Sequence, residues 1–200
     1  MIKIVAPLPH SLYVACSGGV DSMAALDFLK RRHDVTVVYF NHQTFYGNMC
    51  EQNLTAYCAR RDIPLLLGKL EASKPKHESQ EEFWRNQRIS WFHQLPGTVV
   101  TAHHLDDCME TYLFNCLHGK HHTIAYQNGN VVRPFLTTRK SQLESWCNKH
   151  QVPWWDDPSN GDTRFMRNHI RHNIMPHALI VNPGLAKVVK RIVVDAMSNT

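Results

Sequence analysis

Apolar residues in this chain follow two alternating rhythms. Short β-branched or aromatic runs at Leu12–Cys16 (LYVAC), Val35–Phe40 (VTVVYF), Pro64–Leu67 (PLLL) and Thr98–Ala102 (TVVTA) predict buried strands. Between them, Ser22–Arg32 places Met23, Leu26 and Leu29 at helical spacing, and Asn48–Arg61, Ser79–Leu95 and Leu105–Leu117 suit further helices. Glu81 and Glu82 fall in the first turn of the third of these, where the helix dipole favours acids, and Gly97 ends it. Val131–Val132, a helix over Arg139–His150 and the stretch VPWW at 152–155 follow. The polar stretch 69–80 (KLEASKPKHESQ) reads as a surface loop, and beyond about Asp157 the pattern is helical without strands.

This βαβα order predicts an α/β, Rossmann-like fold: a mostly parallel sheet with helices on both faces and a small C-terminal helical appendage. The expected division is a sheet domain at 1–157 and a short helical extension at 158–200 that completes it. Ligands in such sheets bind beyond the carboxyl ends of the strands. The turns Ser17–Ser22 and His103–Asp107 both fall at such ends.

Composition narrows the class. With 200 residues, 43% of them hydrophobic and 20% charged, the chain should bury one substantial core. No apolar run reaches the length of a membrane span, and MIKIVAPLPH lacks the apolar core of a secretory signal, so a soluble, cytoplasmic protein is expected. None of the six cysteines forms a CxxC pair, which argues against a zinc ribbon or iron–sulfur cluster and for reduced, structural thiols. A formal charge of +5 is compatible with a polyanionic partner, yet many basic proteins bind no nucleic acid.

The chemistry begins at Ser17-Gly18-Gly19-Val20-Asp21-Ser22. Two glycines allow positive φ and close approach of an anion, and the turn amides with the following helix start form an anion nest. Ser17 and Ser22 add hydroxyls. Asp21 would repel a phosphate unless a Mg²⁺ lay between them. The second cluster is His103, His104, Asp106, Asp107 and Glu110. One carboxylate there can cap a helix; metal binding or proton handling would use the others. Arg85 and Arg88 share a helical face, either in a ladder with Glu81 or facing a substrate. Arg164, Arg167 and Arg171, with Asn168 and His172, make one side of the terminal helix cationic: a solvated face, or a contact for phosphate or RNA backbone. Trp154 and Trp155 are read as core, with base stacking as the alternative.

SGGVDS resembles the pyrophosphate loop of the PP-loop, or N-type ATP pyrophosphatase, family, whose fold is the adenine nucleotide alpha hydrolase type. That resemblance implies cleavage of ATP between its α and β phosphates and adenylation of a substrate oxygen. It also accounts for the missing P-loop lysine, which serves β- and γ-phosphate chemistry. Four further stretches are similar to tRNA(Ile)-lysidine synthetases: Tyr39-Phe40-Asn41-His42; Glu81-Glu82-Phe83-Trp84-Arg85-Asn86-Gln87-Arg88; Thr101 to Thr111 (TAHHLDDCMET); and Asp156-Asp157-Pro158-Ser159-Asn160 with Arg167-Asn168 and Ile170-Arg171. The likeness spans roughly residues 11 to 180. Glu82 and Trp84 replace two small residues of the Glu-Ala-x-Ala-Arg helix, Cys108 stands where glutamine is usual, and the segment 119–130 is shorter.

What the resemblance implies is ATP-dependent ligation of L-lysine to C2 of the wobble cytidine of tRNA(Ile) with a CAU anticodon. The catalytic domain would act without the usual C-terminal domains. Ser17, Gly18, Gly19, Val20, Ser22, Asn41 and His42 would hold ATP and its pyrophosphate, and Asp21 and Asp107 would hold Mg²⁺. Asp21, His103, Asp106 and Asp107 would form the catalytic group, while Glu81, Arg85, Arg88, Arg164, Arg167, Asn168 and Arg171 would hold the tRNA substrate. Another tRNA modification of the thiolation type, or a non-catalytic nucleotide- or tRNA-binding module, remains open.

Overall fold

The computed structural model describes residues 1–155 and 166–198. Strands β1 (Ser11–Ala15), β2 (Asp34–Asn41), β3 (Leu65–Lys69), β4 (Val99–Val100), β5 (Gln127–Asn128) and β6 (Val131–Val132) form one sheet in the order β3-β2-β1-β4-β6-β5. Every pairing is parallel except β5 with β6. The mostly parallel α/β sheet read from the sequence is therefore present. Several boundaries differ. The run Thr98–Ala102 keeps only two strand residues, and Val131–Val132 is one arm of a hairpin turning at Gly129, whose φ of 59° demands glycine.

Helices α1 (Val20–Leu29), α2 (Phe45–Ala59), α3 (Gln80–His93), α4 (Leu105–Leu117) and α5 (Lys140–His150) connect or follow the strands. α2 starts three residues earlier than its apolar spacing suggests, because Thr44 accepts from the Gly47 amide and caps it. Ser79 caps α3 in the same way through the Glu82 amide. Helices α1, α2 and α5 cover one face of the sheet, sharing a core with Val14, Val37 and Val100. Phe92, Ile89 and Trp91 of α3 pack on the other face against Val38, Val99 and Val131. Nearly all of α1 is buried, Asp27 included, because α5 lies over its outer side and Trp146 Nε1 donates to Asp27 Oδ2 at 3.0 Å.

The chain steps β1 to β2 to β3 in one direction, then returns to place β4 on the other side of β1. This reversal opens a crevice between the carboxyl ends of β1 and β4. After residue 165 come α6 (Met166–His169), a π-helical turn (Ile170–Ile174), α7 (Met175–Val181) and α8 (Leu185–Ser198). Leu185, Val189 and Val193 of α8 bury against Leu105, Cys108 and Met109 of α4. The expected boundary near residue 157 lies outside the described residues. All six cysteines are free. No helix of the described residues is long and apolar enough to cross a membrane.

One contact tests how α3 seats on the sheet. A Cβ at Gly68 in β3 would come within 2.4–2.7 Å of the Trp91 ring. Gly68→Ala should lower stability by about 1–3 kcal/mol, read as a fall in urea midpoint. An unchanged midpoint would mean that Trp91 swings clear.

Candidate functional site

A cleft of about 410 Å³ occupies the crevice between β1 and β4. One wall is the turn 17–22. Gly18 takes φ +85° and its carbonyl accepts from the Trp155 amide at 2.9 Å, while the Trp155 ring lies 3.0 Å from where a Cβ would stand. Only glycine fits there. Gly19 is the N-cap of α1, and among the described residues no side chain accepts from its first-turn amides. Those donors face the cleft with the helix dipole behind them. Ser17 is exposed at the rim. Ser22 is buried and its hydroxyl is committed to the loop: it donates to the Gly19 carbonyl at 2.9 Å and accepts from the Ser17 amide at 3.2 Å. It braces the turn, so the turn's ligand-facing donors are amides and Ser17.

The second wall is the start of α4. His104 is the N-cap: its Nδ1 accepts from the Asp107 amide, and the Asp107 carboxylate accepts from the His104 amide at 3.0 Å. That bond leaves Nε2–H pointing at Asp21 Oδ2, 3.5 Å away. Burial alone would lower the His104 pKa, but the bond to Asp21 and the charges of Asp107, Asp21 and Asp106 raise it. The other oxygen of Asp21, Oδ1, is buried with no partner among the described residues. His103 is held neutral, its pKa pulled down to about 3 by burial and then by Arg167, Arg133 and Arg88, with Asp107 opposing; Thr101 Oγ1 lies 2.8 Å from its Nδ1.

Asp106 departs from its expected place in the catalytic group. Its carboxylate grips the Arg139 guanidinium at 2.8–3.1 Å and accepts from the Lys140 amide at 2.7 Å. It fixes the start of α5 and does not line the cleft. Burial would raise its pKa, but Arg139 and the Lys140 amide hold it down. Asn41 is likewise turned inward. Its amide donates to Asn48 Oδ1 and Glu51 Oε2 at 2.9 and 2.8 Å, and its oxygen accepts from the Gln43 amide. Its neighbour His42 faces the cleft with Nδ1 buried and unpartnered, and burial followed by the Arg88 charge lowers its pKa to about 4.

The third wall comes from α3. Trp84, one of the two residues that depart from the small-residue helix pattern, stacks on His42 with ring centroids 5.1 Å apart at 25°. Arg88 lines the cleft one turn further on, whereas Glu81 and Arg85 are exposed and form no ion pair with each other. Arg167 reaches the cleft from α6 and bonds Asp107 Oδ1 at 3.3 Å and Glu110 Oε2 at 3.4 Å. Arg171 clasps Glu110 at 2.6 and 3.0 Å from the π-helical turn. These two arginines, expected on a solvated or RNA-facing side, are instead ion-paired with α4. Asn168 lies in α6, and Arg164 lies outside the described residues, as does the run 156–165. Trp155, read as core, both packs on the core and lines the cleft.

Tyr39 and Phe40, which form the aromatic floor, lie in the YFNH stretch, whereas Tyr46 and the buried Arg133 beside His103 carried no motif that would have marked them. The donor set fits Mg²⁺, because Asp21 offers an unpartnered hard oxygen beside the open turn and Asp107 is close by. No three His, Cys, Asp or Glu side chains converge on one point among the described residues, so the remaining ligands would be phosphate oxygens and water.

An open α/β sheet with a glycine turn, an open helix start and a carboxylate at its switch point defines a protein that binds a nucleotide through its phosphates. The PP-loop domain profile matches residues 3–178, and the chain belongs to the PP-loop family. It is 32% identical over 205 residues to tRNA(Ile)-lysidine synthase of Lactiplantibacillus plantarum, covering 92% of this chain and 45% of the relative. The Staphylococcus aureus protein of the same name is 30% identical over 186 residues, covering 82% and 43%. The chain thus spans less than half the length of these curated relatives. Among solved structures, an NH3-dependent NAD synthetase from Campylobacter jejuni superposes with a TM-score of 0.53 at 14% identity, covering 94% of this chain and 85% of that one, and shares the fold.

Two measurements test these placements. Asp106→Ala should cost about 1–3 kcal/mol of stability while leaving ATP affinity within twofold; lost ATP binding with unchanged stability would return Asp106 to the ligand. His103 and His42 stay neutral in the fold down to about pH 3 and 4, whereas unfolded histidine takes its proton near 6.5. The unfolded state therefore binds more protons below 6.5, and stability should fall as pH drops from 6.5 to 4. Each histidine contributes at most about 1.4 kcal/mol per pH unit. His103→Asn should make that slope shallower in urea titrations; an unaltered slope would refute the buried neutral ring.

Proposed function

We propose that the chain catalyses ATP-dependent ligation of L-lysine to C2 of the wobble cytidine in tRNA(Ile) with a CAU anticodon. The observation that carries this reading is the meeting, in one cleft, of the open α1 start, the unpartnered Asp21 oxygen and the Asp107 carboxylate. The names of the relatives supply the substrate. First, the C2 carbonyl oxygen attacks the α phosphorus of ATP and pyrophosphate leaves. Then the lysine amine attacks C2, loses a proton, and AMP departs.

Residue roles follow from position. Amides at Gly19 to Ser22, with the Ser17 hydroxyl, take the developing pyrophosphate charge. Asp21 and Asp107 would hold Mg²⁺, which supplies charge neutralisation on the phosphates. The imidazole of His104 orients Asp21 through Nε2–H. His103, neutral near pH 7, serves as a hydrogen-bonding partner. Asp107, which lines the cleft, brings negative charge for the lysine ammonium. Arg167, which reaches the cleft from α6, faces the phosphate that is transferred.

A thiolation reading would need a reactive thiol. Cys16 and Cys50 do line the cleft, but burial, its largest cause, pushes the Cys16 pKa up to about 11, which keeps that thiol protonated.

The test combines ATP, labelled lysine and tRNA(Ile) transcript, followed by nuclease digestion. Expected is a lysine-modified cytidine, with AMP and pyrophosphate formed one to one. AMP release independent of lysine and without a modified base would sink the ligase reading. Asp21→Asn should cut turnover at least a hundredfold with little change in unfolding midpoint; full activity would refute its role.

A further inference from the structure

Trp84 and Arg88 lie four residues apart on α3, hence on one helical face, and both line the cleft. α3 covers the sheet face opposite α1, so this wall stands across the switch point from the turn that receives phosphates. Trp84 is half-buried and lies flat on His42 at 25°. Arg88 forms no ion pair or hydrogen bond among the described residues, in contrast to Arg167 and Arg171 in their carboxylate clasps. Arg85, three residues before Arg88, is exposed and also unpaired among the described residues, and its charge acts on Arg88. An aromatic face, an unpaired guanidinium one turn on and a second guanidinium leading outward make the pattern that holds a polynucleotide: a base stacks, and successive phosphates follow the cations. A mononucleotide held at the turn would have no use for the outward cation.

We propose that Trp84 is the stacking platform for one unpaired base of the RNA substrate, with Arg88 and Arg85 on the flanking phosphates, distinct from the place of ATP. This rests on the reading that the chain modifies an RNA base, and it names the residues that choose that base. Because a tryptophan stands where the resembling helix pattern has a small residue, this chain would hold its base by stacking at a position where that pattern offers little surface. Arg85 carries sequence-independent affinity, and Trp84 carries the dependence on a base being present.

The experiment measures binding of a fluorescent CAU anticodon stem-loop by anisotropy, beside ATP affinity. The intact stem-loop is compared with one that is abasic at the wobble position. Wild type should lose roughly tenfold on the abasic RNA. Trp84→Ala and Trp84→Leu should bind the intact RNA roughly tenfold more weakly and show no further loss on the abasic one. Trp84→Phe should keep most of the discrimination, and all variants should bind ATP within twofold of wild type, which also certifies their folding. A Leu variant equal to wild type, an abasic penalty that survives in the Ala variant, or a loss of ATP affinity in place of RNA affinity overturns the proposal. If lysine incorporation proceeds without this coupling, the stacking platform alone falls. If the coupling holds while no lysine is incorporated, the ligase reading alone falls. Absence of RNA binding by wild type overturns both.

Discussion

Of helices α1 to α5, four have a side-chain oxygen or nitrogen bonded to a first-turn amide: Thr44, Ser79 and His104 for α2, α3 and α4, and the Asp106 carboxylate for α5. α1 has none. Its first-turn donors point into the crevice between β1 and β4, and their need for acceptors is the demand around which the rest of the cleft is arranged. Glycine at 18 and 19 keeps side chains out of the way, and Ser22 spends its hydroxyl stiffening the turn. Trp155 locks Gly18 from behind. A ligand with several anionic oxygens satisfies the helix start in a way that none of the described residues does.

The order of strands and helices was legible because each element carries its own rhythm, as in VTVVYF or the spacing of Met23, Leu26 and Leu29. So was the glycine turn, whose φ of +85° at Gly18 needs no distant partner to be foreseen. Long-range pairing was not legible. Asp106 reads as one acid among several in HHLDD, yet its partner Arg139 lies 33 residues on, beyond any local pattern. Asn41 shares a motif with His42 but turns to Asn48 and Glu51, because a residue on an extended strand end alternates sides. The arginines at 167 and 171 looked free of acids only along the sequence; Asp107 and Glu110 supply the acids in space.

Charge in the cleft is therefore partitioned. On the α4 side, Arg167 and Arg171 each have a carboxylate, and Glu110, only 3% exposed, is neutralised by Arg171. On the α3 side, Arg88 has none among the described residues, and the rings of His42 and His103 in the same cleft are neutral. The apolar floor of Tyr39 and Phe40 lowers the local dielectric and strengthens both halves.

Three polar contacts join the walls outside that floor. His104 of the α4 cap meets Asp21 of α1, Asp106 of α4 meets Arg139 at the start of α5, and Trp146 of α5 meets Asp27 of α1. Together they close a triangle through three helices that no strand pairing enforces. The gap between the two ligand-bearing turns is thus fixed twice, once by sheet register and once by this triangle. A short sheet with two-residue strands beside its switch point gains from the helices the stiffness that its backbone ladder lacks.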